Sequence, residues 1–188
     1  MGLLLAGGAA RRFGANKLLA NLPTGEAVGL LAAAKLAAVV DHLLVVVRAD
    51  DEPTAGAFAQ AGYDVLRCAE ARLGMAHSLA GGVAASLTSA AWMVALADMP
   101  LISPATLVAL VACWRQHDRI VVPMCAGQAG HPVIFPARWR DALLVLQGDS
   151  GARALLEAHG DDVFTYPTTD TGVVRDIDTP QDLALAAP

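Results

Sequence analysis

Apolar residues along this chain come in two kinds of run. Short unbroken ones, "GLLLA" at 2–6, "HLLVVV" at 42–47 and "AWMVALA" at 91–97, have the length and continuity of strands covered on both faces. Longer Ala/Leu-rich ones have the length of helices: "VGLLAAAKLAAVV", "DEPTAGAFAQAG" closed by Gly62, and "MAHSLAGGVAASL". "YDVLRC" adds another strand. "SPATLVALVACWRQH" opens with Ser103 as N-cap and Pro104 at the first helical position, where the missing N–H of proline goes unneeded. This β-α-β-α order predicts an α/β, Rossmann-like fold: a mostly parallel sheet flanked by helices.

Beyond residue 118 the rhythm changes. "RIVVPMCAGQAGHPVIF" reads as two strands joined by a glycine-containing loop, a hairpin appended to the sheet. Helical "RWRDALLVL" and "GARALLEAH" follow, then "VFTYP", "VVRDI" and a last helix from Thr179. No linker, repeat or low-complexity tract interrupts the chain, so one domain is expected over 1–188.

Composition narrows the function classes. The 188 residues are 55% hydrophobic and 16% charged, which argues against disorder. Charges such as Lys35 break the apolar runs well short of a spanning segment, and the first residues lack a basic leader, so a cytoplasmic protein without membrane association is expected. A net charge of −5 disfavours nucleic acid, whose phosphates reward dense Lys and Arg surfaces. Cys68, Cys113 and Cys125 are widely spaced and have no histidine at ligand spacing, so they read as plain thiols.

The chemistry concentrates where the first strand ends. "LAGGAARRFGANK" places Gly7 and Gly8 at a strand's carboxyl end, where open α/β sheets bind ligands. Glycine lets backbone N–H groups close on an anion. Neither the dinucleotide fingerprint nor the P-loop spacing is present, because Lys17 lies three residues beyond Gly14. Arg12, Gly14 and Lys17 together point to a triphosphate cradle. Asp98 follows "AWMVALA" at another strand's carboxyl end, a place for a hard oxygen ligand that suits Mg2+.

With "DMP" at 98–100, "GHPVIF" at 130–135, "GDSGARALL" at 148–156 and "DIDTPQDL" at 176–183, the chain resembles the molybdenum cofactor cytidylyltransferases, close kin of the guanylyltransferases of the same cofactor. The resemblance implies a Mg2+-dependent nucleotidyltransferase that moves CMP from CTP to the phosphate of molybdopterin and releases pyrophosphate. It implies a nucleotide-binding half, 1–117, and an acceptor-binding half, 118–188. Leu5, Ala6, Gly7 and Gly8 would meet the base, with Gly74 of "GMAHS" at the second base-and-ribose loop. Arg12 and Lys17 would serve the triphosphate beside Gly14, and Asp98 the metal. His131, Ser150 and Arg153 would hold the acceptor, and a molybdoenzyme or its chaperone would be a further partner.

Asp176 and Asp178 alternate along "VRDID" and so are expected on opposite faces of a strand. Asp178 is preferred as the second metal contact. Thr179, Pro180 and Asp182 read as a capping box, which makes Asp182 structural. His77 is given no role. The first loop reads "LAGG", the form of the guanine-using relatives, which keeps GTP open as the donor. A cytidylyltransferase acting on a sugar or polyol phosphate, and a catalytically idle cofactor-binding accessory, are the remaining alternatives.

Overall fold

The computed structural model describes residues 1–8, 13 and 16–186. The first strand, β1 (Gly2–Leu5), lies between β2 (Leu43–Arg48) and β4 (Ala91–Leu96), parallel to both, and β3 (Asp64–Cys68) extends the parallel set beyond β2. Side chains along β1 alternate between two cores. Leu4 joins Val45, Met93 and Leu110 on one side, while Leu3 and Leu5 join Val46, Trp92 and Leu79 on the other. A strand covered on both faces needs a continuous apolar run, and "GLLLA" supplies it. Each fully buried leucine contributes roughly 2 kcal/mol of transfer free energy.

Helices α1 (Val28–Ala37), α2 (Glu52–Gln60), α3 (Met75–Ala84) and α4 (Pro104–His117) cross over between these strands and after β4. Val28, Ala32 and Leu36 of α1 share the first core with Leu107 and Leu110 of α4, whereas Leu79 and Val83 of α3 lie in the second. Ser103 caps α4 as expected, its Oγ accepting the Ala105 N–H, with Pro104 in the first turn. Asp51 caps α2 through the Thr54 N–H at 3.2 Å.

The second half departs from the simple reading. β5 (Ile120–Cys125) and β7 (Val133–Pro136) are antiparallel as expected, but β7 is inserted between β4 and β5 instead of hanging from the edge. All four residues of β7 are buried, so this position supplies the cover that a run of Val, Ile and Phe requires. The short β6 (Gln128–Ala129) pairs with β5, and β8 (Val163–Thr168), read from "VFTYP", runs parallel to β5. Helices α5 (Arg140–Leu144) and α6 (Arg153–Ala158) are short.

"VVRDI" is not a strand. A 3-10 turn covers Thr171–Val174 and irregular chain follows to α7 (Pro180–Ala184). The Thr179–Asp182 capping box of α7 forms in both directions, which gives Asp182 the structural part expected of it. Among the described residues no helix is long and apolar enough to cross a membrane.

Candidate active site

The site grows from the carboxyl ends of β1 and β4. Past β1, the Ala6 N–H donates to the Val46 carbonyl at 2.8 Å, and the Leu5 carbonyl accepts the Ala97 N–H at 3.1 Å. These two bonds carry the sheet one residue further and release Gly7, Gly8 and Asp98 at its rim. The Asp98 carbonyl accepts the Ile177 N–H at 2.9 Å. Ile177 is fully buried, so it pins the segment carrying Asp176 and Asp178 against the end of β4.

That contact corrects the expectation for the two aspartates. Strand alternation does not apply where there is no strand. Asp98, Asp176 and Asp178 each bring a carboxylate oxygen within 4.8 Å of the other two. Asp176 therefore joins the expected pair, Asp98 and Asp178. Burial, and then the neighbouring Asp178, push the Asp176 carboxyl above the usual carboxylate range.

Lys17 completes the cluster. Its Nζ donates to Asp98 Oδ2 at 2.8 Å and to Asp178 Oδ1 at 2.7 Å. The residue is only 8% exposed. Burial alone would lower its pKa, but the two carboxylates outweigh it and hold the ammonium above its ordinary value. A short 3-10 turn, Lys17–Leu19, presents it. Asn16 accepts the Leu18 N–H through its side chain and donates from Nδ2 to Thr54 Oγ1 of α2 at 2.6 Å, while Leu18 is buried below. Three carboxylates and one ammonium leave excess negative charge at one point, a donor set that fits a hard divalent cation.

Two cavities share a wall, and Asp98 lines the first of them. One, of about 570 Å3, is bounded by Leu5, Gly7, Gly8, Gly74 and Asp98. The other, of about 580 Å3, is bounded by His131, Ser150 and Arg153 over a floor that includes Val94, Val133 and Phe135. Leu5, Met75 and Asp149 line both. Ala6 lines neither, and its N–H is spent on Val46. Arg12 and Gly14 lie outside the described residues.

Gly74 sits at the seam with φ +131°, and a Cβ there would drive into the Gly148 carbonyl. Only glycine allows that approach. Ala152 precedes α6, whose first residue is Arg153. Arg153 is mostly exposed, and its Nε lies 3.8 Å from Glu157. His131 follows Gly130 at a cis bond to Pro132. Burial lowers its pKa, with the Val94 backbone and Asp98 opposing, and its Nδ1 has no hydrogen-bond partner among the described residues.

Sequence reading overlooked Arg48, Asp50 and Arg72, which also line the first cavity. Arg48 grips Asp50 through Nε at 3.0 Å and Nη2 at 2.7 Å. Part of the signal was available for Arg48: it ends β2, just as Asp98 follows β4.

A mostly parallel sheet whose strand ends carry Gly7, Gly8 and Asp98, with a lysine and two further carboxylates gathered on Asp98, is the arrangement of a nucleotidyltransferase. The chain belongs to the MobA-like NTP transferase family: residues 2–163 match the model of the MobA-like NTP transferase domain. It is 32% identical to the purine catabolism protein PucB of Bacillus subtilis over 97% of this chain and 93% of that one. Among solved structures it is similar to Rv0371c of Mycobacterium tuberculosis, with 24% identity and a TM-score of 0.79 over 96% of this chain and 94% of that one. Rv0371c has also been solved in complex with manganese, matching 89% of this chain and 86% of that one at 24% identity and a TM-score of 0.75. The molybdopterin-guanine dinucleotide biosynthesis protein A of Archaeoglobus fulgidus superposes with a TM-score of 0.69 at 19% identity, covering 97% and 94% of the two chains. The fold is that of the nucleotide-diphospho-sugar transferases, and the chain is a nucleotidyltransferase.

Proposed function

We propose that this enzyme transfers CMP from CTP to the phosphate of a molybdopterin-type acceptor, releases pyrophosphate and uses Mg2+. The observation that carries the proposal is the Lys17–Asp98–Asp178 cluster, whose Asp98 lines the first of two cavities of similar size that share a wall at Leu5, Met75 and Asp149. One cavity suits each substrate, with the charged cluster entered from the first through Asp98. The "GHP" and "GDSGAR" stretches, which border the second cavity, favour the molybdopterin acceptor over a sugar phosphate. The downstream motifs favour cytidylyl transfer. GTP is the second reading, favoured by Gly7: a Cβ there would come within 3.0 Å of Ser78 Oγ and 3.4 Å of the Ala71 Cβ. The glycine thus keeps the rim of the first cavity open.

In this reading Leu5, Gly7, Gly8 and Gly74 receive the base and ribose, with Ala6 only holding the strand end through Val46, and Arg12, Gly14 and Lys17 serve the triphosphate. An acceptor phosphate oxygen attacks the α-phosphorus, a new P–O bond forms, and the bond to the β-phosphate oxygen breaks with its electron pair leaving on pyrophosphate. A phosphate monoester is already largely ionised at neutral pH, so the attack needs no general base. What it needs is alignment and neutralised charge. Asp98 and Asp178, with Asp176, would hold the metal, which supplies charge neutralisation at the phosphates. The Lys17 ammonium offers a charge-assisted hydrogen bond to the oxygens of the transferring group. His131, held neutral by burial, contributes a hydrogen bond to the acceptor without adding charge. Ser150 and Arg153 flank the acceptor phosphate.

Arg153→Ala separates the two halves. Losing a charge-assisted contact costs ~1.5–3 kcal/mol, and the high exposure of Arg153 favours the lower end. The acceptor KM is expected to rise about tenfold. Calorimetric affinities for CTP and GTP should stay within experimental error of the parent and will report the preferred base. Loss of nucleotide affinity in Arg153→Ala would refute the division.

A further inference from the structure

The carboxylate cluster is assembled from two segments with no strand to hold them together. Asp98 begins the connection from β4 to α4, and Asp176 and Asp178 follow the 3-10 turn Thr171–Val174. One backbone bond, from the Ile177 N–H to the Asp98 carbonyl, joins them at the site itself.

Behind the site stands a second set of contacts. Lys35, in the last turn of α1, donates from Nζ to the Pro100 carbonyl at 2.6 Å and to the Ile102 carbonyl at 3.1 Å. Pro100 and Ile102 are both buried, so these oxygens depend on a donor from the protein. The other segment supplies Asp170. Its Oδ2 accepts the Ser103 N–H at 2.8 Å, and its Oδ1 accepts the Gly172 N–H at 2.9 Å. Gly172 in turn packs so closely on Leu101 that a Cβ would strike the Leu101 carbonyl. Burial lowers the Lys35 pKa, and Asp170 and then Glu26 act against it.

We infer that Lys35 is a positioning residue for the metal-binding carboxylates: acting with Asp170 from behind the site, it fixes the 98–103 connection against the 170–178 segment and so sets the spacing of Asp98 and Asp178. The inference rests on the metal reading of the cluster. Lys35 itself lines neither of the two cavities. A methionine at position 35 would keep the length and apolar stem of the side chain but leave two buried carbonyls without their donor, which costs free energy unless the loop shifts. Either way the geometry at Asp98 relaxes. Supporting groups around metal ligands typically matter about 10- to 100-fold in metal affinity.

The test is Mn2+ binding by calorimetry or electron paramagnetic resonance on the nucleotide-free full chain, with thermal melts alongside. Lys35→Met is expected to weaken Mn2+ binding about tenfold. Lys35→Arg, which can still donate to both carbonyls, should recover most of the loss. Lys35→Gln, which retains one donor group, replaces the methionine variant should the latter not fold. A merely structural lysine would lower the melting temperature of these variants and leave the Mn2+ affinity of the folded protein within about twofold of the parent. That result overturns the inference. Asp98→Asn is the control. If it loses Mn2+ binding while Lys35→Met and Lys35→Gln keep it, Lys35 has no positioning role. If Asp98→Asn also keeps full Mn2+ affinity, the metal reading fails and the inference falls with it.

Discussion

Asp98→Ala is expected to lower kcat/KM for nucleotidyl transfer by about 10^3-fold, a loss of ~4 kcal/mol of transition-state stabilisation. The carboxylate stands at the end of a central strand, within 4.8 Å of the other two acids. Removing it takes away a charge directed at the place where the phosphates must be neutralised. The fold should survive, because Asp98 holds the neighbouring segment through its backbone carbonyl, which alanine keeps. Lys17 retains its bond to Asp178 at 2.7 Å. The lost pair with Lys17 is partly exposed on the Asp98 side, so its share of stability is about 1 kcal/mol or less. Pyrophosphate release and a thermal melt on one preparation check both statements. Near-parental Mg2+-dependent turnover in the variant would remove Asp98 from the metal site.

The second large effect is expected at Lys17 and has two opposite components. Lys17→Met should depress kcat by about 10^2-fold, since a charge-assisted hydrogen bond to the transferring group is worth ~3 kcal/mol in a site screened from water. The same variant should bind Mn2+ several-fold more tightly, because the ammonium that now sits between Asp98 and Asp178 competes with an incoming cation for the same oxygens. In the presence of a chelator it should also melt at a lower temperature than the parent, since two clustered acids have lost their counter-ion, and added Mn2+ should reverse that. Weaker Mn2+ binding would mean that Lys17 helps to build the cation site instead of occupying it.

The features that could be read from the chain are those whose cause is local. Ser103 and Thr179 cap helices because their own hydroxyls reach the next turn, and Pro104 and Pro180 mark the first turns beside them. Asp98 could be placed because it directly follows an apolar run too continuous to be anything but a central strand. The misreadings have distant causes. An antiparallel pair can hang from a sheet edge or insert into it, and only the vacancy beside β4 decides for β7. "VVRDI" has the alternation of a strand, yet its hydrogen bonds go singly to His131 and Asp98 and not to a partner strand. Asp176 consequently turns toward Asp98, where strand geometry would have turned it away. Arg48 belongs to the rim only because β2 lies beside the glycine-bearing β1, a neighbour relation that no local pattern around Arg48 records.

The most direct measurement is pyrophosphate release by the purified enzyme with Mg2+ and each of the four NTPs, with and without molybdenum cofactor or a sugar phosphate as acceptor. Release from CTP that requires the molybdenum cofactor is the expected result, with GTP the only other donor that should approach it. Release that requires a sugar phosphate, or none from any NTP when the molybdenum cofactor is supplied, would contradict the proposed transfer.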